Sequence, residues 1–123
     1  MYTKKDLIRV LKQDIKTEIN AINFYVDNID DLNYGKNYKL VNELLFGSMT
    51  HLRIVAEELC RLCRSSSAKA LKAAIERAVK EEEGMRAIYE YENNRTKEAR
   101  LKKIFGKLTA QETHHKKLAR SLK

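Results

Sequence analysis

Apolar residues recur along this chain at intervals of three and four, and almost nothing interrupts the pattern. The sequence has no proline and only four glycines in 123 residues. Proline and glycine are the residues that most often end a helix, and a spacing of three to four places side chains on one face of an α-helix. The pattern therefore predicts an all-α chain, and its length is that of a single domain, residues 1–123.

Three short polar segments divide the chain into four helices of similar length. They are DDLNYGKN at 30–37, RSSSA at 64–68 and ENNRT at 92–96. The first contains glycine and asparagine, the second offers serines that can cap a helix, and the third offers Thr96 as an N-cap for the last helix. Each helix would hold about 25 residues and measure about 37 Å, which is typical of a four-helix bundle.

A repeat of 64 residues relates the two halves of the sequence. This offset pairs Glu18 with Glu82, Tyr25 with Tyr89, His51 with His115, Leu7 with Leu71, Leu11 with Ile75, Ile15 with Val79, and Leu44 with Leu108. Self-similarity at a fixed period indicates a repeated structural unit. We therefore predict two duplicated helical hairpins, residues 1–64 and 65–123, and we assign the paired tyrosines to the core.

Five acidic or histidine residues interrupt the apolar stripes near the middle of the predicted helices. They are Glu18, His51, Glu82, Glu112 and His115. A buried carboxylate or imidazole is costly unless it is paired or bound to a metal. Each of them alone would more often be an ordinary hydrogen-bonded core residue, but five at consistent heights favour a shared metal site. Carboxylates and imidazoles together suit Fe, Mn or Zn.

Residue counts from the turns place these groups close in height. Glu18 and His51 lie at the same level, whereas Glu82 is offset from the pair in the fourth helix by about one helical turn. The spacing of three between Glu112 and His115 puts both on one helix face, so the adjacent His114 is expected at the flank or in solvent.

A bundle with one Glu from each of two helices and Glu-x-x-His from each of the other two is the di-iron carboxylate arrangement. On these residues, and on the segments EINAINFY, EEGMRAIY and ETHH, the chain resembles the ferritin-like superfamily and, within it, rubrerythrin-type di-iron domains. The resemblance extends over nearly the whole chain. It implies two transition-metal ions, iron first with Mn or Zn as alternatives, that react with dioxygen or peroxide. The ligands carried over are Glu18, His51, Glu82, Glu112 and His115.

The sequence departs from that family pattern at three points. Ser48 stands where the second Glu-x-x-His motif requires its glutamate, so five ligands of six remain. Met85 occupies a position where some rubrerythrins carry an additional glutamate, which weakens the case for a peroxidase. The sequence has no four-cysteine rubredoxin module, so an electron donor would have to come from elsewhere and stays unidentified.

The second segment break constrains how the bundle can close. In the ferritin-like arrangement the second and third helices run parallel, so the chain must travel back about 40 Å between them. Five residues span at most about 17 Å. We therefore predict a homodimer that exchanges hairpins between two chains. The alternative is an up-down-up-down monomer with short loops.

Positive charge is concentrated at the end of the sequence. The formal net charge is +8, and from Thr96 onward nine Lys or Arg face two Glu, a balance of +7. Such a run is usually a solvated helix face, but it also suits a polyanion. The alternative function is therefore a non-catalytic helical module with a decayed metal site, whose basic fourth helix binds nucleic acid or an acidic partner.

The sequence shows neither a membrane-spanning segment nor a secretory signal. The chain has no apolar run of the roughly 18 residues that a membrane span needs, and its first residues lack a secretory pattern, so we expect a cytoplasmic protein without a membrane partner.

Cys60 and Cys63 form a lone CxxC without the second pair that a zinc site requires. We interpret them as small side chains at a helix end, with Cys63 on the apolar face.

Overall fold

The computed structural model of the chain describes residues 1–65 and 67–123. Its described residues form five α-helices and no strand, which confirms the predicted all-α class and fits a helical bundle. The helices are α1 (Lys4–Asp27), α2 (Ile29–Leu32), α3 (Tyr38–Leu62), α4 (Ala68–Arg95) and α5 (Ala99–Arg120). The four predicted helices correspond to α1, α3, α4 and α5. The short α2 lies within the first predicted break.

The helices are arranged in two compact units, residues 1–64 and 65–123. In the first unit, hairpin 1, α1 packs against α3; in the second, hairpin 2, α4 packs against α5. Gly35 lies in the connection of hairpin 1 with a positive φ of 64°, a conformation that glycine adopts without a steric penalty.

Local hydrogen bonds explain where several helices begin. The Thr3 hydroxyl accepts from the Asp6 amide at 3.1 Å, and the Asp6 carboxylate accepts from the Thr3 amide at 3.0 Å, which is a complete capping box for α1. Ser67 caps α4 by accepting from the Ala70 amide at 3.1 Å. The predicted serine cap of the third predicted helix is therefore confirmed.

The predicted N-cap role of Thr96 is wrong. Thr96 ends α4, where its amide donates to the Glu92 carbonyl, and α5 begins after Glu98 without a side-chain cap among the described residues. The helix continues through the asparagine pair, and in its last turn Arg95 donates to the Tyr91 hydroxyl at 2.7 Å and stacks on that ring. This pairing at a spacing of four supports the last turn of α4.

Each hairpin buries only a narrow seam. Val41 and Ala119 are the only buried apolar residues among those the structure describes, and Glu112 is buried as well. Two packed helices can cover one stripe each, so further apolar surface on both hairpins stays accessible. None of the described helices is long and apolar enough to cross a bilayer.

Candidate metal centre

Hairpin 2 brings together a carboxylate from α4 and a carboxylate and an imidazole from α5. Glu82 lies 13 residues before the end of α4 at Arg95, and Glu112 lies 13 residues after the start of α5 at Ala99. The two glutamates are therefore level, without the offset of about one turn expected from the sequence. The connection between α4 and α5 is shorter than the sequence predicts and holds only residues 96–98, because α4 extends to Arg95.

The three groups are close enough to bind one ion. One ligand atom from each of Glu82, Glu112 and His115 lies within 4.8 Å of the other two. The Nδ1 atom of His115 is 3.4 Å from Glu112 Oε2 and 3.6 Å from Glu82 Oε2. These distances place an imidazole nitrogen and two carboxylates around a common point, a donor set that suits Fe, Mn or Zn.

The burial of the two carboxylates and their lack of hydrogen-bond donors favour binding of a cation. The Oε2 atoms of Glu82 and Glu112 are buried and have no hydrogen-bond partner among the described residues. The pKa of Glu82 is raised above its ordinary value, first by the neighbouring Glu112 carboxyl and then by burial, while His115 opposes the shift. Buried acceptor oxygens without donors are costly in a metal-free core, and a bound cation would satisfy them.

An ion-pair network lies beside this cluster, on the residues that directly follow two of the candidate ligands. Lys116 Nζ donates to Glu83 Oε2 across the two helices at 2.7 Å, and Arg86 Nε donates to the same oxygen at 2.9 Å. Arg86 also pairs with Glu90. Arg86 and Lys116 lower the pKa of Glu83 to about 2. Since Glu83 follows Glu82 and Lys116 follows His115, the network fixes the register of the two ligand-bearing helices.

Hairpin 1 assembles a smaller version of the same cluster. His51 Nδ1 lies 3.4 Å from Glu18 Oε1, so α1 and α3 bring together the same pair of residue types as α4 and α5. The Glu18 side chain is 23% exposed and that of His51 65%, so the histidine lies at the open side of the seam. Ser48 is half-buried at the position that Glu112 occupies in hairpin 2.

Asp14 is a further carboxylate that the sequence reasoning missed. It lines a shallow cavity of about 250 Å³ together with Glu18 and His51. Asp14 precedes Glu18 by four residues, one helical turn, and its counterpart at the 64-residue offset is Ala78. Asp14 could have been identified from the sequence, because it is an acid on the helix face that carries Glu18, where the repeat has alanine.

The remaining residues singled out in the sequence lie outside these clusters. His114 is exposed, as expected, and Tyr25 and Tyr89 are half-buried. Cys60 is exposed and Cys63 half-buried, and both are free thiols.

Comparison with known proteins gives one match. A family model described as Rubrerythrin matches residues 63–123, which comprise hairpin 2 and the segment that leads into it. No curated protein and no solved structure matches the chain.

Proposed function

The chain belongs to the rubrerythrin family through residues 63–123, an all-helical unit of ferritin-like type, and from this we propose that it is a di-metal carboxylate protein. The observation that carries the proposal is the convergence of Glu82, Glu112 and His115, with two buried carboxylate oxygens that lack hydrogen-bond donors. Two buried carboxylates without donors do not stabilise a metal-free core, whereas a bound cation would offset the repulsion between them.

Bound iron would supply electrons to dioxygen or peroxide, which is the chemistry we propose for the protein. The residues of the chain hold the ions and set their environment. Glu82 and Glu112 supply negative charge in a partly buried seam, and His115 adds a neutral nitrogen donor. The network around Glu83 and Lys116 keeps the two helices in register, so that the ligand atoms are positioned before an ion arrives.

Glu18 and His51 are proposed as the ligands from hairpin 1. With Ser48 in place of a glutamate, this half offers one carboxylate fewer in its seam than hairpin 2. Asp14, one turn away on the same cavity, is the proposed substitute. If Asp14 is a ligand, Asp14→Ala should weaken binding of the second ion about tenfold or more, as loss of a supporting carboxylate does in other metal sites. The control is Asp27→Ala, at the exposed end of α1, which should leave the affinity for that ion unchanged.

A complete site needs four helices, and we propose that they come from two chains. The segment between α3 and α4 holds five residues, 63–67, which span at most about 17 Å. Parallel placement of α3 and α4 would require about 40 Å. Exchange of hairpins between two copies meets this requirement and gives two equivalent sites per homodimer.

Metal analysis of untagged protein by mass spectrometry tests the proposal directly. We expect about two Fe or Mn ions per chain, a stoichiometry that follows from the two-ion site of this bundle class. The variant His115→Ala should lose metal, whereas His114→Ala, at the adjacent exposed histidine, should retain it. Protein that carries no metal and does not take up added Fe(II), Mn(II) or Zn(II) would reject the proposed function.

A second candidate rests on the exposed charge of hairpin 2. Of the nine Lys and Arg residues from Thr96 onward, eight are exposed; the ninth, Lys116, pairs with Glu83. This surface suits nucleic acid or an acidic protein. Binding of that kind weakens steeply as salt rises, because counterions are released. Retention on heparin that persists unchanged in high salt, or no retention in low salt, would count against it.

A further inference from the structure

The two cysteines of the chain lie together at the end of α3, and the proposed metal centre uses neither of them. Cys60 belongs to the last turn of the helix, and Cys63 is the residue that follows its end. Cys60 is nine residues beyond His51, or about 13.5 Å along the helix axis. Because Cys60 is exposed, packing in the core accounts for Cys63 alone.

The backbone holds the two cysteines at a separation that a disulfide can bridge. Residues three apart in an α-helix have Cα atoms about 5 Å apart and are neighbours on the helix surface. The Cα atoms of a disulfide-bonded pair are usually about 4.4 to 6.8 Å apart. Cys63 still follows the helical path, because its amide donates to the Leu59 carbonyl at 2.9 Å. A bond between Cys60 and Cys63 therefore needs only a small local adjustment.

The position of Cys63 at the helix end makes this adjustment easier than it would be inside the helix. Its ψ of 128° is extended, and α4 begins only at Ala68. Cys63 is joined to α3 through its amide, so a small rotation there disturbs one backbone hydrogen bond. The same rotation in the middle of α3 would disturb the hydrogen bonds on both sides.

The Arg64 side chain folds back over the end of α3. Its Nη1 atom lies 3.4 Å from the carbonyl oxygens of both Cys60 and Cys63. The carbonyls at a helix C-terminus carry partial negative charge, which opposes a thiolate beside them, and the guanidinium offsets that charge. Since the thiolate is the form of cysteine that attacks a disulfide, Arg64 supports reaction at this pair.

We infer that Cys60 and Cys63 form a redox-active dithiol that exchanges with small-molecule disulfides. The exposed Cys60 thiolate bonds to one sulfur of the small disulfide and displaces the other sulfur as a thiolate. The half-buried Cys63 then attacks the Cys60 sulfur and displaces the second thiolate. The two displaced thiolates take up the two thiol protons, so the small disulfide is reduced to two thiols while the protein gains one S–S bond. A small dithiol reverses both steps.

The Cys60–Cys63 bond is expected to be reversible rather than structural. It closes a loop of only four residues, 60–63, and so short a loop restricts the unfolded chain little. One of its sulfurs belongs to an exposed residue, and exposed disulfides are more easily reduced than buried ones. A labile bond of this kind suits the sensing or transfer of thiol redox state, which is a function distinct from the proposed metal chemistry.

The test uses reduced, full-length protein kept free of metal by a chelator. It is equilibrated with glutathione and glutathione disulfide at fixed ratios and quenched with N-ethylmaleimide. Intact mass spectrometry then counts maleimide and glutathione groups, and a non-reducing gel detects bonds between chains. We expect the wild type to become oxidised within one chain, with neither group attached, and to regain two reactive thiols in dithiothreitol.

Single serine variants test the roles of the two cysteines. Cys63→Ser should accumulate a mixed disulfide between Cys60 and glutathione, because the second attack is lost. Cys60→Ser should react with glutathione disulfide about tenfold more slowly, because its remaining thiol is half-buried. Circular dichroism verifies that both variants keep the helicity of the wild type.

The matched control is Glu57→Cys/Cys63→Ser, which keeps the spacing of three but places both thiols within α3 at exposed positions. It should need a glutathione disulfide excess about tenfold higher to close its bond, because closure distorts the helix on both sides. Closure of this control as readily as the wild type would overturn the inference. So would wild-type protein that ends with glutathione on both cysteines, or with chains bonded to one another. Because metal is absent throughout, the result does not depend on the proposed function.

Discussion

Glu112 has the most unusual environment of any residue in the candidate site. Its side chain is 8% exposed, and it faces Glu82 while one of its oxygens lacks a donor among the described residues. Two carboxylates in one seam repel each other unless a proton or a cation lies between them. The metal-free protein therefore carries an electrostatic cost at this position that the metal-bound form would not.

The variant Glu112→Gln should have opposite effects on the stability of the metal-free and the metal-bound protein. Without metal, it should raise the melting temperature by a few degrees, because it removes the like charge beside Glu82. In the presence of Mn(II) or Fe(II) it should lose most of the metal-induced stabilisation and weaken affinity on the order of 100-fold. Thermal melts with and without metal measure both effects.

A suitable control for that variant is Glu81→Gln, since Glu81 is exposed on the same helix as Glu82. It removes the same charge from the chain without touching the cluster. If the two variants melted alike in metal-free buffer, the repulsion argument would be wrong.

Ser48 is the position where the repeat and the family pattern both break. Ser48→Glu should restore Glu-x-x-His with His51 on the stripe that already carries Glu18. We expect a higher melting temperature only when metal is present, since a ligand that binds the folded state stabilises it by mass action. Without metal the same change should destabilise, because it adds a negative charge beside Glu18.

Thr50→Glu, an exposed site on the same helix, is the control for Ser48→Glu. Identical melting curves for the Ser48→Glu protein with and without Fe(II), Mn(II) or Zn(II) would show that the seam of hairpin 1 does not bind metal.

At the scale of the helices, one ion pair helps to set the register of α4 and α5 beside the candidate ligands. The Lys116–Glu83 bond joins the two helices at 2.7 Å one residue away from the candidate ligands. Lys116→Met keeps the aliphatic stem and removes the charge, so it should lower the melting temperature of the metal-free protein by a few degrees, the modest effect expected of a partly exposed pair. It should also weaken metal binding, because Glu82 and His115 lose a shared constraint.

Lys117→Met provides the comparison for Lys116→Met, since Lys117 is the exposed next residue. Loss of metal affinity in both variants would point to net charge rather than helix register as the cause.

Helix periodicity alone was enough to predict the helices and the grouping of the ligands within each hairpin. Spacings of three and four placed Glu82 with His115, and Glu18 with His51, on facing stripes, and the structure brings each pair into contact. Helix ends were less predictable, because Thr96 has a good capping side chain, yet α4 continues past the asparagines to Arg95 and Thr96 follows its end. Asp14 was missed because an exposed acid in the middle of a helix looks like ordinary surface until the cavity it lines is known.

At the scale of the whole molecule, the proposed exchange of hairpins between two copies depends on the short segment 63–67. Exchange gives a dimer of 14.4 kDa chains, whereas an up-down-up-down bundle with short loops would be a monomer.

Lengthening the connection between the hairpins tests the exchange. About 20 Gly and Ser residues inserted after Ser65 give a segment of about 25 residues, which extends to about 80 Å and easily covers the required 40 Å. The bundle can then close within one chain, so the mass should halve while the number of metal ions per chain stays the same. If the wild type already had the mass of one 14.4 kDa chain and the insertion left that mass unchanged, each chain would close its own bundle, and hairpin exchange would be wrong.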